Sequence, residues 1–248
     1  MKILGIDTAI PEASVALVED SQLIVETVQC KIGGSGMHAD GQMIGNHAEI
    51  ILPLIQLVLN KAQSRVKYLS AIGLSIGPGS FTGLRIGLAT VKGLAYGADL
   101  AMIGISTLQA HAARVNDFDG LVGCMLDARK GEVYFALFRR EGVTLARITA
   151  DAALSIESAI ELLRIYQRDA ELPLLLIGDG AKAHQRQLRA ALGDALRLSA
   201  DNDYGSAAAQ VALLAGVRMA AGSVDNAGDL GPVYLRLSEA ETKRKFLP

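Results

Sequence analysis

The chain has 248 residues, half of them hydrophobic, with a formal net charge of −2, a pI near 6.1 and a mean hydropathy of +0.30. That length can bury a sizeable core in one large domain or two small ones, and the charge balance argues against a dominant basic face for nucleic acid, a local patch being invisible in that sum. No stretch approaches the roughly 18 uninterrupted apolar residues that a membrane span needs, so the surplus apolar surface is expected to go into a core or an interface.

In chain order, residues 2–7, 13–19 and 22–28 read as three short strands in a meander, separated by Thr8–Glu12 and Asp20-Ser21. The start, Met1–Asp7, lacks the apolar segment and cleavage site of a secretory leader. Cys30 and Cys124 lack the spacing of a disulfide framework or zinc cluster, which points to buried thiols in a reducing cytosol. Residues 31–46, rich in Gly and polar residues and without periodicity, read as a mobile loop. A helix follows: Asn46 and Glu49 have capping-box spacing, and Ile51, Leu54, Ile55 and Val58 form an apolar stripe. Pro53 is expected to bend or delay it. Residues 71–76 are a strand, 80–97 a helix, 101–105 a strand and 106–115 a short helix.

From Leu121 the chain answers its own beginning at a constant shift of 120 positions. IDTAIPEASVALV (6–18) over LDARKGEVYFALF (126–138) matches Asp7 with Asp127, Glu12 with Glu132, Ala16 with Ala136 and Leu17 with Leu137. Both read apolar strand, Asp, turn, Glu, apolar strand, so two βββ units would each send a carboxylate toward one cleft between domains. Two lobes are expected, 1–118 and a smaller, more divergent 119–248. The second continues with a helix over 155–168, a strand over 174–178, a helix over 181–193 and a small-residue helix over 205–222. The tail carries Pro232-Val-Tyr-Leu-Arg236 and the basic cluster Lys243-Arg-Lys245, for which a disordered charged tail is the expectation.

The stretch Gly77-Pro-Gly-Ser-Phe-Thr-Gly-Leu-Arg-Ile-Gly87 is neither a Walker A loop, since no Gly-Lys-Ser/Thr follows, nor the dinucleotide G-x-G-x-x-G. Ser80 can cap the helix, and free amides there can hold an anion. Gly79, Gly83 and Gly87, however, recur every four residues, and each interior helical glycine costs about 0.5–1 kcal/mol relative to alanine. A repeated local cost implies a gain elsewhere, and close approach by another backbone is the simplest one. Leu84, Leu88, Val91 and Ala95 form a second stripe toward the core. Arg85 and Lys92 share one side, a solvated face unless an interface brings acidic groups to them.

Two turns could touch nucleotide: Asp7-Thr8-Ala9 after the first strand, and Gly178-Asp179-Gly180 between a strand and a helix. In each, a plain strand-end turn is the competing reading. His38, His47, His111 and His184 show no paired metal spacing, and Asp201, Asn202 and Asp203 resemble a metal loop in composition only, a capped helix start before Gly205 being the simpler reading.

Taken together, ILGIDTA, HAEIILPLI, SIGPGSFTGLRIGLATVKGLAYG, IGISTL, LDARKGEVYFALF and GPVYLR resemble the TsaB (YeaZ) family of bacterial tRNA modification proteins over nearly the whole chain, less closely from about 140 to 230. The resemblance implies an α/β, actin-like ATPase fold (ASKHA, ribonuclease H-like) with two βββαβα-type lobes, and membership in the machinery that makes N6-threonylcarbamoyladenosine beside the anticodon. In that machinery the paralogue TsaD transfers the threonylcarbamoyl group and carries a metal-binding HxxxH; here Thr107 stands at the first histidine position and only His111 remains. One imidazole does not hold a metal alone. No catalytic residue, no metal and no intrinsic activity are therefore expected of this chain, which would act as a partner subunit of TsaD. The resemblance further implies docking on TsaD, or on a second copy, through helices 47–62 and 80–97, with Ile51, Ile55, Gly79, Gly83, Arg85, Gly87 and Lys92 as interface residues. It implies TsaE as the ATPase of the same machinery, tRNA contact only through a partner, no membrane, and a cytoplasmic location. No intrinsic cofactor is expected; ATP would bind at a partner-completed site drawing on Asp7, Thr8, Asp127, Gly178, Asp179 and Gly180. The alternative is an autonomous actin-like ATPase or phosphotransferase built on the same carboxylates.

Overall fold

The computed structural model describes residues 1–29, 36–37, 43–44, 47–170, 172–193, 196–199 and 207–236. Asn46, Cys30, His38, the Asp201–Asp203 triplet, Gly205 and the Lys243–Lys245 cluster lie outside the described residues.

The first sheet is built from β1 (Lys2–Asp7), β2 (Ala13–Glu19) and β3 (Gln22–Gln29). A two-residue ribbon follows, β4 (Gly36–Met37) with β5 (Met43–Ile44), the only described part of the segment read as a loop. Next come α1 (His47–Lys61), a 3-10 turn at Val66–Tyr68, β6 (Ala71–Gly77), α2 (Phe81–Ala98), β7 (Ala101–Ser106) and the short α3 (Thr107–Ala112). The strand order is β3-β2-β1-β6-β7, antiparallel through the meander and parallel from β1 to β7. Strand alternation divides the core: Leu4, Ile6, Val15, Ile72 and Leu74 face α1 and α2, while Ile3, Val18, Ala71 and Ile103 face the other way. Pro53 does not delay α1, which starts at His47 and runs through it. The proline sits on the exposed side, where the carbonyl it leaves without an amide partner can take water.

The second sheet repeats the plan with β8 (Gly120–Arg129), β9 (Glu132–Glu141), β10 (Thr144–Arg147), β11 (Ala152–Ser155), α4 (Ile156–Ala170), β12 (Leu174–Ile177), α5 (Asp179–Ala183), α6 (Gln185–Leu192) and β13 (Leu196–Leu198). Its order, β10-β9-β8-β12-β13, matches that of the first sheet, with β11 added on β9. The single helix expected over 181–193 is two helices meeting at His184. The repeated β-β-β-α-β-α-β unit is the actin-like, ribonuclease H-like topology.

After β13 the chain forms α7 (Ala208–Ala220), which covers the open face of the first sheet through Val211, Ala212 and Ala215. A side chain on Gly5 would place its Cβ 2.1 Å from the Ala208 carbonyl oxygen, so α7 lies directly on strand backbone. Two compact units result: one joins Met1–Ala110 with Gly205–Val233, the other His111–Tyr204 with Tyr234–Pro248. The boundary drawn after residue 118 therefore misplaces the small-residue helix, which is coverage for the first sheet. Alanine spacing marked it as a packing helix but carried no address for its partner.

A latch holds this return. Arg218 of α7 donates to both carboxylate oxygens of Asp225 at 3.0 Å and to the Gly104 carbonyl at 2.7 Å, while the Gly104 amide donates to Asp225 at 2.7 Å. Burial alone would raise the Asp225 carboxyl, but the hydrogen bonds from Arg218 and Gly104 and the guanidinium charge hold it below the usual carboxylate value. A depressed folded pKa stabilises the fold above the unfolded value of about 3.9, and that contribution disappears as the pH falls through the folded value. Asp225→Asn should thus cost about 1–3 kcal/mol at pH 7 and flatten the loss of stability below pH 4. Thermal melts at both pH values check this, and identical acid sensitivity in the two proteins would refute it.

Candidate functional site

In the first unit β6 ends at Gly77, whose φ of +119° needs glycine, and passes through the cis peptide bond to Pro78. Ser80 then caps α2, its hydroxyl accepting from the Gly83 amide at 3.2 Å, and its own amide donates to the Ala9 carbonyl at 2.7 Å. A Cβ on Gly79 would lie 2.3 Å from the Ala9 oxygen, one on Gly83 2.0 Å from the Thr8 oxygen, and one on Gly87 2.3 Å from Thr8 Oγ1. The three glycines therefore form the seat for the chain's own Asp7-Thr8-Ala9 turn. Close approach is what they provide, as expected, but the backbone they admit is internal.

This corrects several assignments. Gly83 and Gly87 are buried against Thr8 and Gly79 is half-buried against Ala9, so this stripe packs internally. Ile51 and Ile55 are 1% and 3% exposed in the core beneath α1, because the apolar stripe that made them conspicuous is the stripe the sheet buries. Thr8 is wholly buried and its hydroxyl donates to the Gly83 carbonyl at 2.9 Å. Asp7 is wholly buried too, one carboxylate oxygen accepting from the Ala9 amide at 2.9 Å. Both side chains are closed to solvent. His47, at the start of α1, is buried beside Gly83 and bonds the Pro11 carbonyl through Nε2 at 3.1 Å, tying three elements together.

What α1 and α2 leave exposed is a different set. Leu52 is 53% exposed on α1 and Tyr96 94% exposed on α2. Arg85 is exposed and stacks on Phe81 at 3.9 Å, Ala89 is exposed, Lys92 is half-buried, and a Cβ on Gly93 or Gly97 would meet open space. Of the residues assigned to an interface by sequence, Arg85 is exposed and Lys92 and Gly79 are half-buried. Leu52, Ala89 and Tyr96 escaped that reading because single exposed apolar residues carry no periodic signal.

In the second unit the sequence-marked residues do come together. Asp179 Oδ1 accepts from the Asp127 amide at 2.9 Å, and Asp127 Oδ1 accepts from the Arg129 amide at 2.7 Å. Gly178, at φ +97°, would place a Cβ 2.1 Å from the Met125 oxygen, and Gly180 packs on the Leu126–Asp127 peptide. These glycines bring α5 onto β8, and the exposed Asp127 side chain is left at the mouth of the β8–β9 hairpin. Arg236, noticed only as the end of GPVYLR, braces that hairpin: Nη1 donates to the Ala128 and Arg129 carbonyls, and Nε pairs with Glu132 at 3.0 Å.

Among the described residues, the other polar groups marked in the sequence do not converge. Thr107 and His111 are buried at α3, and His184 is exposed with Nδ1 2.9 Å from Gln187. Among the described residues no group of three or more His, Cys, Asp or Glu could hold a metal ion, and no helix is long and apolar enough to cross a membrane. Burial pushes the Cys124 thiol well up, Asp151 and Asp179 add to this and Arg147 opposes it, so it stays an unreactive thiol.

Comparison with known proteins accords with this architecture. The family described as "TsaD: tRNA N6-adenosine threonylcarbamoyltransferase" matches residues 42–243. A Bacillus subtilis relative named tRNA threonylcarbamoyladenosine biosynthesis protein TsaB is 29% identical over 243 residues, covering 98% of this chain and 97% of its own. The Escherichia coli protein of the same name is 37% identical over 143 residues, 57% of this chain and 56% of its own. A solved structure of YeaZ from Pseudomonas aeruginosa shares the fold, with a TM-score of 0.73 at 24% identity over 94% of this chain and 99% of that one. The chain belongs to the family of the tRNA N6-adenosine threonylcarbamoyltransferase TsaD, in its TsaB (YeaZ) branch, which acts in tRNA threonylcarbamoyladenosine biosynthesis.

Proposed function

We propose that this chain is a non-catalytic, cytoplasmic partner subunit of TsaD, required for threonylcarbamoyl transfer to adenosine beside the tRNA anticodon. The observation that carries the reading is at α3: where TsaD's pattern needs two histidines, this chain has a buried Thr107 and a single buried His111. The seating of α2 on Asp7 and Thr8 supports it, since the first-unit carboxylate is closed off. Nucleotide binding, on this reading, needs residues of a partner added to Asp127 and Asp179, and ATP hydrolysis belongs to TsaE.

The docking surface is the outer side of α1 and α2, with Leu52, Arg85, Ala89, Lys92 and Tyr96, and a second copy of the chain competes for it. A partner can favour a transfer-competent TsaD only by binding that state more tightly. An exposed aromatic beside open glycine positions is the kind of anchor that dominates an interface, worth 2 kcal/mol or more, roughly a 30-fold change in affinity. Reconstitution with TsaD, TsaE and tRNA tests this. Omitting the chain should abolish modification, and Leu52→Asp/Tyr96→Asp should weaken association with TsaD about 30-fold or more without lowering the melting temperature. Full modification by TsaD and TsaE without this chain would refute the role. Hydrolysis of ATP with Mg²⁺ by the purified chain alone would restore the autonomous ATPase.

A further inference from the structure

The β8–β9 hairpin carries two adjacent cations in a backbone conformation that suits neither. Arg129 pairs with Glu132 across the ladder, leaving Lys130-Gly131 as a two-residue loop. Arg129, Lys130 and Gly131 have φ of +63°, +57° and +76°. Such a loop favours Asn-Gly, because asparagine and glycine enter the left-handed region most easily. Gly131 fills the second position, but a lysine stands at the first and Arg129, the residue before the loop, is left-handed as well; both cations are exposed, and among the described residues neither makes an ion pair.

The surrounding groups hold this conformation. Glu132 pairs with the Arg236 guanidinium, while Asp127 Oδ1 accepts from the Arg129 amide and Asp179 Oδ1 from the Asp127 amide, bonds to neutral donors that leave both carboxylates charged. Arg236 also binds the Ala128 and Arg129 carbonyls from beneath. Strain kept in place by so many contacts at an exposed charged tip marks a contact surface. Two cations on a rigid tip match consecutive phosphates, where arginine bonds two oxygens at once and lysine acts as a point charge.

We propose that the tip of the β8–β9 hairpin, through Arg129 and Lys130, contacts the phosphodiester backbone of tRNA held by the assembled complex. The proposal rests on the TsaD-partner reading and adds to it a direct RNA contact made by this chain. It is compatible with the net charge of −2, since two phosphate contacts need no basic face.

The test uses the full chain assembled with TsaD, and tRNA binding measured from 50 to 200 mM salt. The double variant Arg129→Asn/Lys130→Asn removes both charges and relieves the backbone, so its melting temperature should equal or exceed that of the wild type. Each lost phosphate contact makes the slope of log K against log salt shallower by about 0.7–0.9, so the variant complex should lose about 1.4–1.8 of slope and bind more weakly at low salt. Unchanged slope and affinity in the folded variant would overturn the proposal. Loss of assembly with TsaD in place of a changed slope would overturn it too, assigning the tip to an acidic protein surface. The parent reading is judged separately, by whether modification disappears when the chain is left out.

Discussion

Gly83→Ala should unfold about 6–12 °C below the wild type as an isolated chain, before any partner is added. The added Cβ would stand 2.0 Å from the Thr8 carbonyl oxygen and 2.9 Å from His47 Nδ1. Neither can retreat easily: Thr8 sits in the turn fixed to α2 by its own hydroxyl, and His47 is held by the Pro11 carbonyl. Overpacking of this kind costs about 1–3 kcal/mol and a displaced Thr8–Gly83 hydrogen bond about 1 more, together about 3 kcal/mol. In a chain of this size each kcal/mol moves the midpoint by about 2–4 °C. Gly93→Ala and Gly97→Ala, made in the same helix where a Cβ meets nothing, should each stabilise by about 0.5–1 kcal/mol. Thermal unfolding of the three variants separates an internal seat from a docking surface. Wild-type stability of Gly83→Ala would return that stripe to the interface.

The second large effect belongs to Gly178. Its φ of +97° and ψ of 165° lie in a region that is essentially glycine-only, at a cost of about 1–3 kcal/mol for any side chain. A Cβ there would also stand 2.1 Å from the Met125 carbonyl oxygen, adding about 1–3 kcal/mol of overpacking. Gly178→Ala should thus lose about 4 kcal/mol, or about 8–16 °C, and free the Asp127 amide from Asp179. Asp179→Asn, which keeps an acceptor oxygen for that amide, should lose under about 1 kcal/mol. Melting without ligand makes the comparison. Were Gly178 needed only for a bound nucleotide, both variants would melt with the wild type.

Much of the fold was legible in one dimension because its signals are local. Short apolar runs bounded by turn residues marked β1 and β2, and the stripe of Ile51, Leu54, Ile55 and Val58 marked α1. The 120-residue shift that matched Asp7 with Asp127 anticipated two sheets of identical strand order. Those patterns reflect burial, of both faces of the strands and one face of the helix, and burial is written into residue type. The family was legible for a related reason, since GPGSFTGLRIG combines a cap, a tight turn and a glycine stripe in eleven consecutive residues.

The sequence by itself thus determined the elements, their repeat and their kinship, and it determined that the glycines of α2 admit something close. What they admit, only tertiary structure decided. A glycine states that space is needed and not what fills it, and here Thr8 and Ala9 of the same unit fill it. An apolar stripe likewise states that a face is buried, which is why Ile51 and Ile55 belong to the core and the accessible face falls to Leu52 and Tyr96. Asp7 and Asp127 occupy equivalent positions in sequence, yet one is sealed beneath α2 and the other stands open beside a strained cationic turn. That difference arises from which helix packs over each strand end, a long-range choice that no local spacing records.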